Sequence, residues 1–187
     1  MMKNNKVKKI MEVLQVAQLG NNILRCQAKP VNNIWHKNLQ QIIDNLITTV
    51  IATNGVGIAA PQVSMNDRLF IIASRPNLRY PQAPKMDPKA IINPRLISHS
   101  EDRVKGWEGC LSVPGMRGLV PRYRVINVEY TNRKGKLERQ ELTGFVARIF
   151  QHEYDHLEGL VFLDRVESTT DLMTEDEYQK QIIQLRN

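Results

Sequence analysis

Gln151-His152-Glu153-Tyr154-Asp155-His156 lies inside a run whose pattern fits one helix, from Gly144 to Glu158. Two histidines four apart on a helix share a face, one turn above the other. That spacing lets both imidazoles reach one metal ion and leaves the glutamate between them free to handle a proton. The rest of the helix is apolar, with Phe145, Val146, Ile149, Phe150 and Leu157. A helix of this kind belongs in the middle of a domain. Thr143 suits its N-cap and Gly159 can close its C-terminus.

Working outward, Leu39 to Ala52 carries apolar residues at helical spacing and ends at Asn54-Gly55. Gly55-Val56-Gly57-Ile58-Ala59-Ala60-Pro61-Gln62 is too small and glycine-rich for an ordinary strand. Arg68 to Ala73 reads as a buried strand, and Ser74 to Lys89, with four prolines, as a loop. Ala90 to Ile92 and Leu96 to Ile97 are short strands flanking Asn93-Pro94. Val125 to Thr131 and Leu137 to Leu142 form a hairpin around Lys134-Gly135. Val161 to Leu163 reads as a short strand, and Thr170 to Leu185 as a final amphipathic helix. Strands and helices without βαβ alternation give an α+β class. The expectation is a single domain, with short antiparallel strands around a central HExxH metal-binding helix and a C-terminal helix.

The chain has 187 residues, which suits one domain with a substantial core. Its net charge of +7 suggests an anionic partner surface. The charges are spread out, no zinc-finger or helix-turn-helix pattern occurs, and sequence-specific nucleic-acid binding is not expected. Cys26 and Cys110 are too few for a disulfide framework and point to a reducing cytoplasm. No apolar run has the length of a membrane span.

Cys110, in Glu108-Gly109-Cys110-Leu111-Ser112, offers a third ligand beside His152 and His156. Structural zinc sites are usually closed by four protein ligands, whereas catalytic sites keep a position for water. No fourth ligand is evident, so the set reads as a catalytic centre that activates water, with Glu153 carrying the proton. Two peptidase patterns compete. H-E-x-x-H-x-x-G-x-x-H fits Gly159 but meets Phe162 where a histidine is needed. A downstream glutamate ligand would be Glu175 or Glu177, yet Thr174-Glu175-Asp176-Glu177 reads as the first turn of a helix. A non-enzymatic binding module with a structural metal is a third reading.

H-E-x-D-H-L-x-G, E-G-C-L-S and G-V-G-I-A-A-P-Q together resemble the motifs of the peptide deformylase family, in its order and spacing. The likeness covers residues 13–168, including Ile92-Asn93-Pro94 and Phe162-Leu163-Asp164-Arg165. It sets off residues 1–12 as a basic N-terminal extension and residues 169–187 as a C-terminal helix. The resemblance implies removal of the N-formyl group from the initiator methionine of nascent polypeptides, releasing formate. It implies Cys110, His152 and His156 as ligands of one divalent ion, Fe(II) in the cell, with nickel, cobalt or zinc as replacements in purified protein. It implies Glu153 as general acid and base, with the Gln62 amide and the Leu111 backbone N–H at the developing oxyanion. Val56, Ile149 and Phe145 match positions around the methionine side chain. Gly57 and Gly109 match positions that hold the peptide backbone, and Arg117 and Arg148 fall at the outer groove. Asp155 and Glu108 are candidates to orient the ligating histidines, with Glu108 alternatively pairing with Arg122.

The chain also departs from the family. Ser64 stands where glycine is common, and the loop Arg75 to Lys89 is long. Some relatives dock on the ribosome through a basic C-terminal helix. Here Asp171 to Asn187 holds four acids (Asp171, Glu175, Asp176, Glu177) against two bases (Lys180, Arg186), a net of −2. That leaves the basic N-terminus or the remaining surface for ribosome contact.

Overall fold

The computed structural model describes residues 11–77 and 79–183. Most of the basic extension expected over residues 1–12 lies outside them. Two antiparallel sheets flank a central helix. The helix α1 (Lys37–Ala52) precedes β1 (Gly57–Ala59) and β2 (Leu69–Ile72). Then come β3 (Lys89–His99), β4 (Arg103–Cys110), β5 (Val113–Tyr123), β6 (Val125–Thr131) and β7 (Leu137–Thr143). The central helix α2 (Gly144–Leu157), the strand β8 (Leu172–Thr174) and the short helix α3 (Glu175–Tyr178) follow. One sheet runs β1-β2-β3-β6-β7 and the other β4-β5-β8.

The core explains the continuous apolar run in β2. Leu69 and Ile71 face α1 with Ile43, Leu46 and Val50, while Phe70 and Ile72 face α2 with Ile149 and Phe150. Successive strand residues point to opposite faces, so a strand covered on both sides is apolar throughout. Phe70 and Phe150 meet edge to face at 5.1 Å. A third cluster, Val113, Val120, Val161 and Phe162, fills the space under the smaller sheet beside Cys110.

The central helix lies between these layers. Ala147, Ile149, Phe150, Gln151, Glu153, Asp155, His156 and Leu157 are all buried, so helix faces beyond the apolar stripe are also covered. Gly159 at φ +73° closes the helix, and Leu160 N–H donates to the Asp155 carbonyl at 2.9 Å. Thr143 is the N-cap residue, but its side chain makes no capping hydrogen bond.

Several local expectations change. Gly57–Ala59 does form a strand, pairing with Phe70–Ile72, because tertiary pairing overrides its small residues. The two pieces around Asn93-Pro94 are one bulged strand. Asn93, at φ +50°, makes the bulge and bonds both backbone groups of Val31 at 2.9 Å through its side chain. Phe162–Arg165 is a 3₁₀ turn rather than a strand, since the Asp164 carboxylate accepts the Val161 N–H at 2.8 Å. Of the helix expected over 170–185, residues Leu172–Thr174 instead add a strand to the open edge of β5. Helix begins only at Glu175 and passes into a wider turn, Gln179–Ile183. Residues 184 and 185 lie outside the described residues. The hairpin β4–β5, which carries Cys110, had no clear pattern in its charged, glycine-bearing strands.

Candidate metal centre and cleft

α2 brings His152 and His156 together with ring centroids 5.3 Å apart and planes at 78°. The hairpin β4–β5 delivers Cys110 from the other side, with its sulfur 3.3 Å from His156 Nε2. Two ligands bound at 2.0–2.3 Å to one tetrahedral ion stand about 3.5 Å apart, so the donors fit a shared ion. Cys110, His152 and His156 form the one potential metal-binding cluster of His, Cys, Asp and Glu among the described residues. Glu175 and Glu177 take no part. Glu175 bonds Arg117 and Gln179, and Glu177 bonds Lys180 and Gln181. Thr174 Oγ1 accepts the Glu177 N–H, the helix start expected for this acidic run.

His152 is held from behind, whereas the buried His156 Nδ1 has no hydrogen-bond partner. His152 Nδ1 lies 2.9 Å from Glu108 Oε2, which leaves Nε2 for a metal. Glu108 also takes two hydrogen bonds from Arg122, both 3.0 Å, and one from Arg148 at 2.8 Å. Both expectations for Glu108, the histidine and Arg122, are met together. Burial alone would raise the Glu108 carboxyl, but Arg122 and His152 outweigh it and hold it far below the ordinary range. Asp155 does not orient a histidine. Its carboxylate takes Arg122 at 2.6 Å and Arg165 at 2.6 Å. Burial opposes charge on His152, yet its bonds to Cys110 and Glu108 raise its pKa well above 6.5. A ring set between the Cys110 sulfur and the Glu108 carboxylate stands where a divalent cation can take the place of a proton. Burial holds the pKa of His156 well below 6.5, the neutral form a ligand needs.

Glu153 differs. Its carboxyl is 4% exposed, and Oε2 is buried without a hydrogen-bond partner. Burial raises its pKa to about 7; His152 and Arg122 pull against that rise and Glu108 adds to it. Gly57 makes room for it, since a Cβ there would stand 2.4 Å from Glu153 Oε1.

Gln62 is also fixed. Its Oε1 accepts the Ala59 N–H at 2.9 Å, so Nε2 must face Cys110 Sγ (3.3 Å) and Ser112 Oγ (3.1 Å). Ser64, which follows this turn, holds φ +62°, where a glycine would be unstrained.

These groups sit in a cleft of about 550 Å³. Val56, Ile149, Phe145 and Leu111 supply apolar wall, and Gly57, Gly109 and Gln62 polar backbone or amide. Gly57 and Gly109 belong to β1 and β4, the outer strands of their sheets. Arg148 reaches the cleft while binding the Val104 and Val120 carbonyls. Arg117 does not line this cleft but borders the adjoining pocket with Arg79, Gly109, Cys110 and Leu111. It is 1% exposed and paired with Glu175 behind Gly109. Tyr80 and Arg79, from the proline-bearing loop, do line it. Nothing in that loop's pattern had singled them out.

A sequence model of the polypeptide deformylase family matches residues 13–171. The chain is 61% identical to peptide deformylase 2 of Nostoc sp., over 90% of this chain and 94% of that protein. It is 47% identical to peptide deformylase 2 of Shewanella oneidensis, over 81% of this chain and 83% of that protein. A class I type b peptide deformylase from Acinetobacter baumannii, solved with Met-Ala-Ser bound, superposes with a TM-score of 0.82. It shares 44% identity and covers 84% of this chain and all of that one. The likeness to these proteins fits a single metal site at the Cys-His-His cluster.

Proposed function

The chain belongs to the peptide deformylase family, and we propose that its cleft removes the N-formyl group from the methionine of nascent polypeptides, with Glu153 as the proton carrier. The observation that carries this reading is the buried Glu153 carboxyl, its Oε2 without a partner, beside the Cys110, His152 and His156 donors. Those three donors would hold a divalent ion, which when bound would supply Lewis acidity and lower the pKa of water from 15.7 to roughly 7. Glu153, with its pKa near the working pH, takes the proton from the attacking water and delivers it to the leaving amine. As the formyl carbon becomes tetrahedral, its oxygen gains charge. Gln62 Nε2, aimed by the Ala59 bond, and the Leu111 backbone N–H donate to it.

The open edges of β1 and β4 hold the peptide as an added strand at Gly57 and Gly109. Val56, Ile149 and Phe145 take the methionine side chain, whose burial contributes roughly 1.5–3 kcal/mol. Arg117 serves this groove from behind rather than by touching the peptide. Fe(II) is the ion we assign in the cell; one thiolate and two imidazoles suit several borderline metals, so availability decides. The work is assigned to the cytoplasm, where chains are made and Cys110 stays reduced. No helix among the described residues is long and apolar enough to cross a membrane. The charge of +7 supports contact with the ribosome surface.

The test is formate release from formyl-Met-Ala-Ser by anaerobically prepared, metal-loaded protein, with products read by mass spectrometry. Formate and intact Met-Ala-Ser are expected. Cleavage of internal peptide bonds, or no reaction from folded, metal-bound protein, contradicts the reading.

A further inference from the structure

Arg117 on β5 is a fully buried cation, 1% exposed, outside the catalytic cluster. A guanidinium leaves water only where acceptors replace it. Its Nε and Nη2 donate to the two oxygens of Glu175 at 2.6 and 3.1 Å. Its Nη1 donates to the Tyr80 hydroxyl at 3.2 Å. The Tyr178 ring packs 4.9 Å from the guanidinium carbon. The remaining face lies flat against Gly109, where an added Cβ would stand 2.6 Å from Nη1. Gly109 directly precedes Cys110, whose sulfur meets His156. Tyr80 in turn packs on Phe145 in the cleft wall at 4.8 Å. The pairing of β8 with β5, Arg117 opposite Met173, brings Glu175 into reach.

We propose that Arg117 is a positioning residue: clamped by Glu175 and Tyr178, it holds the Gly109–Cys110 end of β4 where the sulfur can share a metal with His152 and His156. The segment Leu172–Tyr178 is thereby part of the working site, although none of it lines the cleft. This rests on the deformylase reading of that cleft. Arg117 acts through the backbone of Gly109 and touches neither peptide nor reacting atoms.

The test uses cobalt-loaded full-length protein and the variants Arg117→Met, Arg117→Lys and Glu175→Gln. Three quantities are read: the visible and near-ultraviolet cobalt spectrum, the rate of cobalt loss to a chelator, and kcat and KM for formyl-Met-Ala-Ser. Arg117→Met should alter the spectrum, speed cobalt loss about 10-fold and lower kcat about 10-fold, with KM within about twofold of wild type. Glu175→Gln should shift all three in the same direction by less, and Arg117→Lys should fall between wild type and Arg117→Met. An unchanged spectrum and kcat overturns the proposal, even if thermal stability drops. So does a raised KM at constant kcat, which makes Arg117 a peptide contact. If Arg117→Met does not fold, Glu175→Gln decides by the same readouts, because its carboxylate is 30% exposed. Formate release by wild type tests the deformylase reading separately, and the cobalt spectrum needs no substrate.

Discussion

Glu108 and Glu153 are both almost wholly buried and are both neighbours of His152, yet their surroundings are opposite. Glu108 bonds His152, Arg122 and Arg148, and Arg122 continues to Asp155 and Arg165. Glu153 has a buried oxygen with no partner and a glycine where a side chain would press on it. The same carboxyl is therefore held ionised on one side and poised to take a proton on the other. Two carboxylates with pKa values pushed apart is the arrangement that divides structural from chemical work. On the proposed reading, the arginine network fixes His152 as a ligand, and the bare pocket suits Glu153 to carry the proton.

The largest expected effect is on turnover. Glu153→Gln should lower kcat by about 10²–10⁴-fold while the protein folds and binds metal normally. Next, Glu108→Gln should cost about 3–5 kcal/mol of stability, because Arg122 loses its bidentate partner while still buried. It should also weaken metal binding about 10–100-fold by releasing His152. Thermal melts and metal titrations check both.

The third contrast is with pH, read on chelated protein. The folded Glu153 pKa of about 7 lies above the 4.5 of the unfolded chain. Its contribution to stability is therefore fully present below about 4.5 and is lost as pH rises through about 7, a change of up to about 3 kcal/mol. Glu153→Gln should remove this slope. Glu108, whose folded pKa is depressed, works the other way: its contribution is present above 4.5 and is lost only on strong acidification. Denaturant midpoints between pH 5 and 8 separate the two. The smallest effect is steric. Gly57→Ala should push the Glu153 carboxyl aside and reduce kcat about 10-fold with metal content unchanged.

Much of this contrast was legible in the chain. The His152–His156 spacing and the apolar helix around it gave the centre of the fold, because helical period is a local property. Cys110 stood out as a third ligand by its own chemistry, while Gln62 and Gly57 stood in a short motif whose meaning came from family resemblance. The asymmetry between Glu108 and Glu153 was only half visible. Glu108 was suggested for either His152 or Arg122, and the structure gives it both, because one carboxylate has lone pairs enough for several donors. Asp155 was misread because a residue beside His156 in sequence points around the helix toward Arg165 and Arg122. Leu172–Thr174 was misread because helical spacing cannot anticipate an open β5 edge that accepts a third strand. The burial of Arg117 was hidden for the same reason, since that added segment supplies its partner Glu175.

The most direct measurement takes wild type, Glu153→Gln and Glu108→Gln together and reads metal content, melting temperature and formate release on one preparation each. A separation is expected: Glu153→Gln keeps metal, does not fall in melting temperature and loses formate release, while Glu108→Gln loses melting temperature and metal. Formate release near the wild-type rate by Glu153→Gln, or the same losses in both variants, would contradict it.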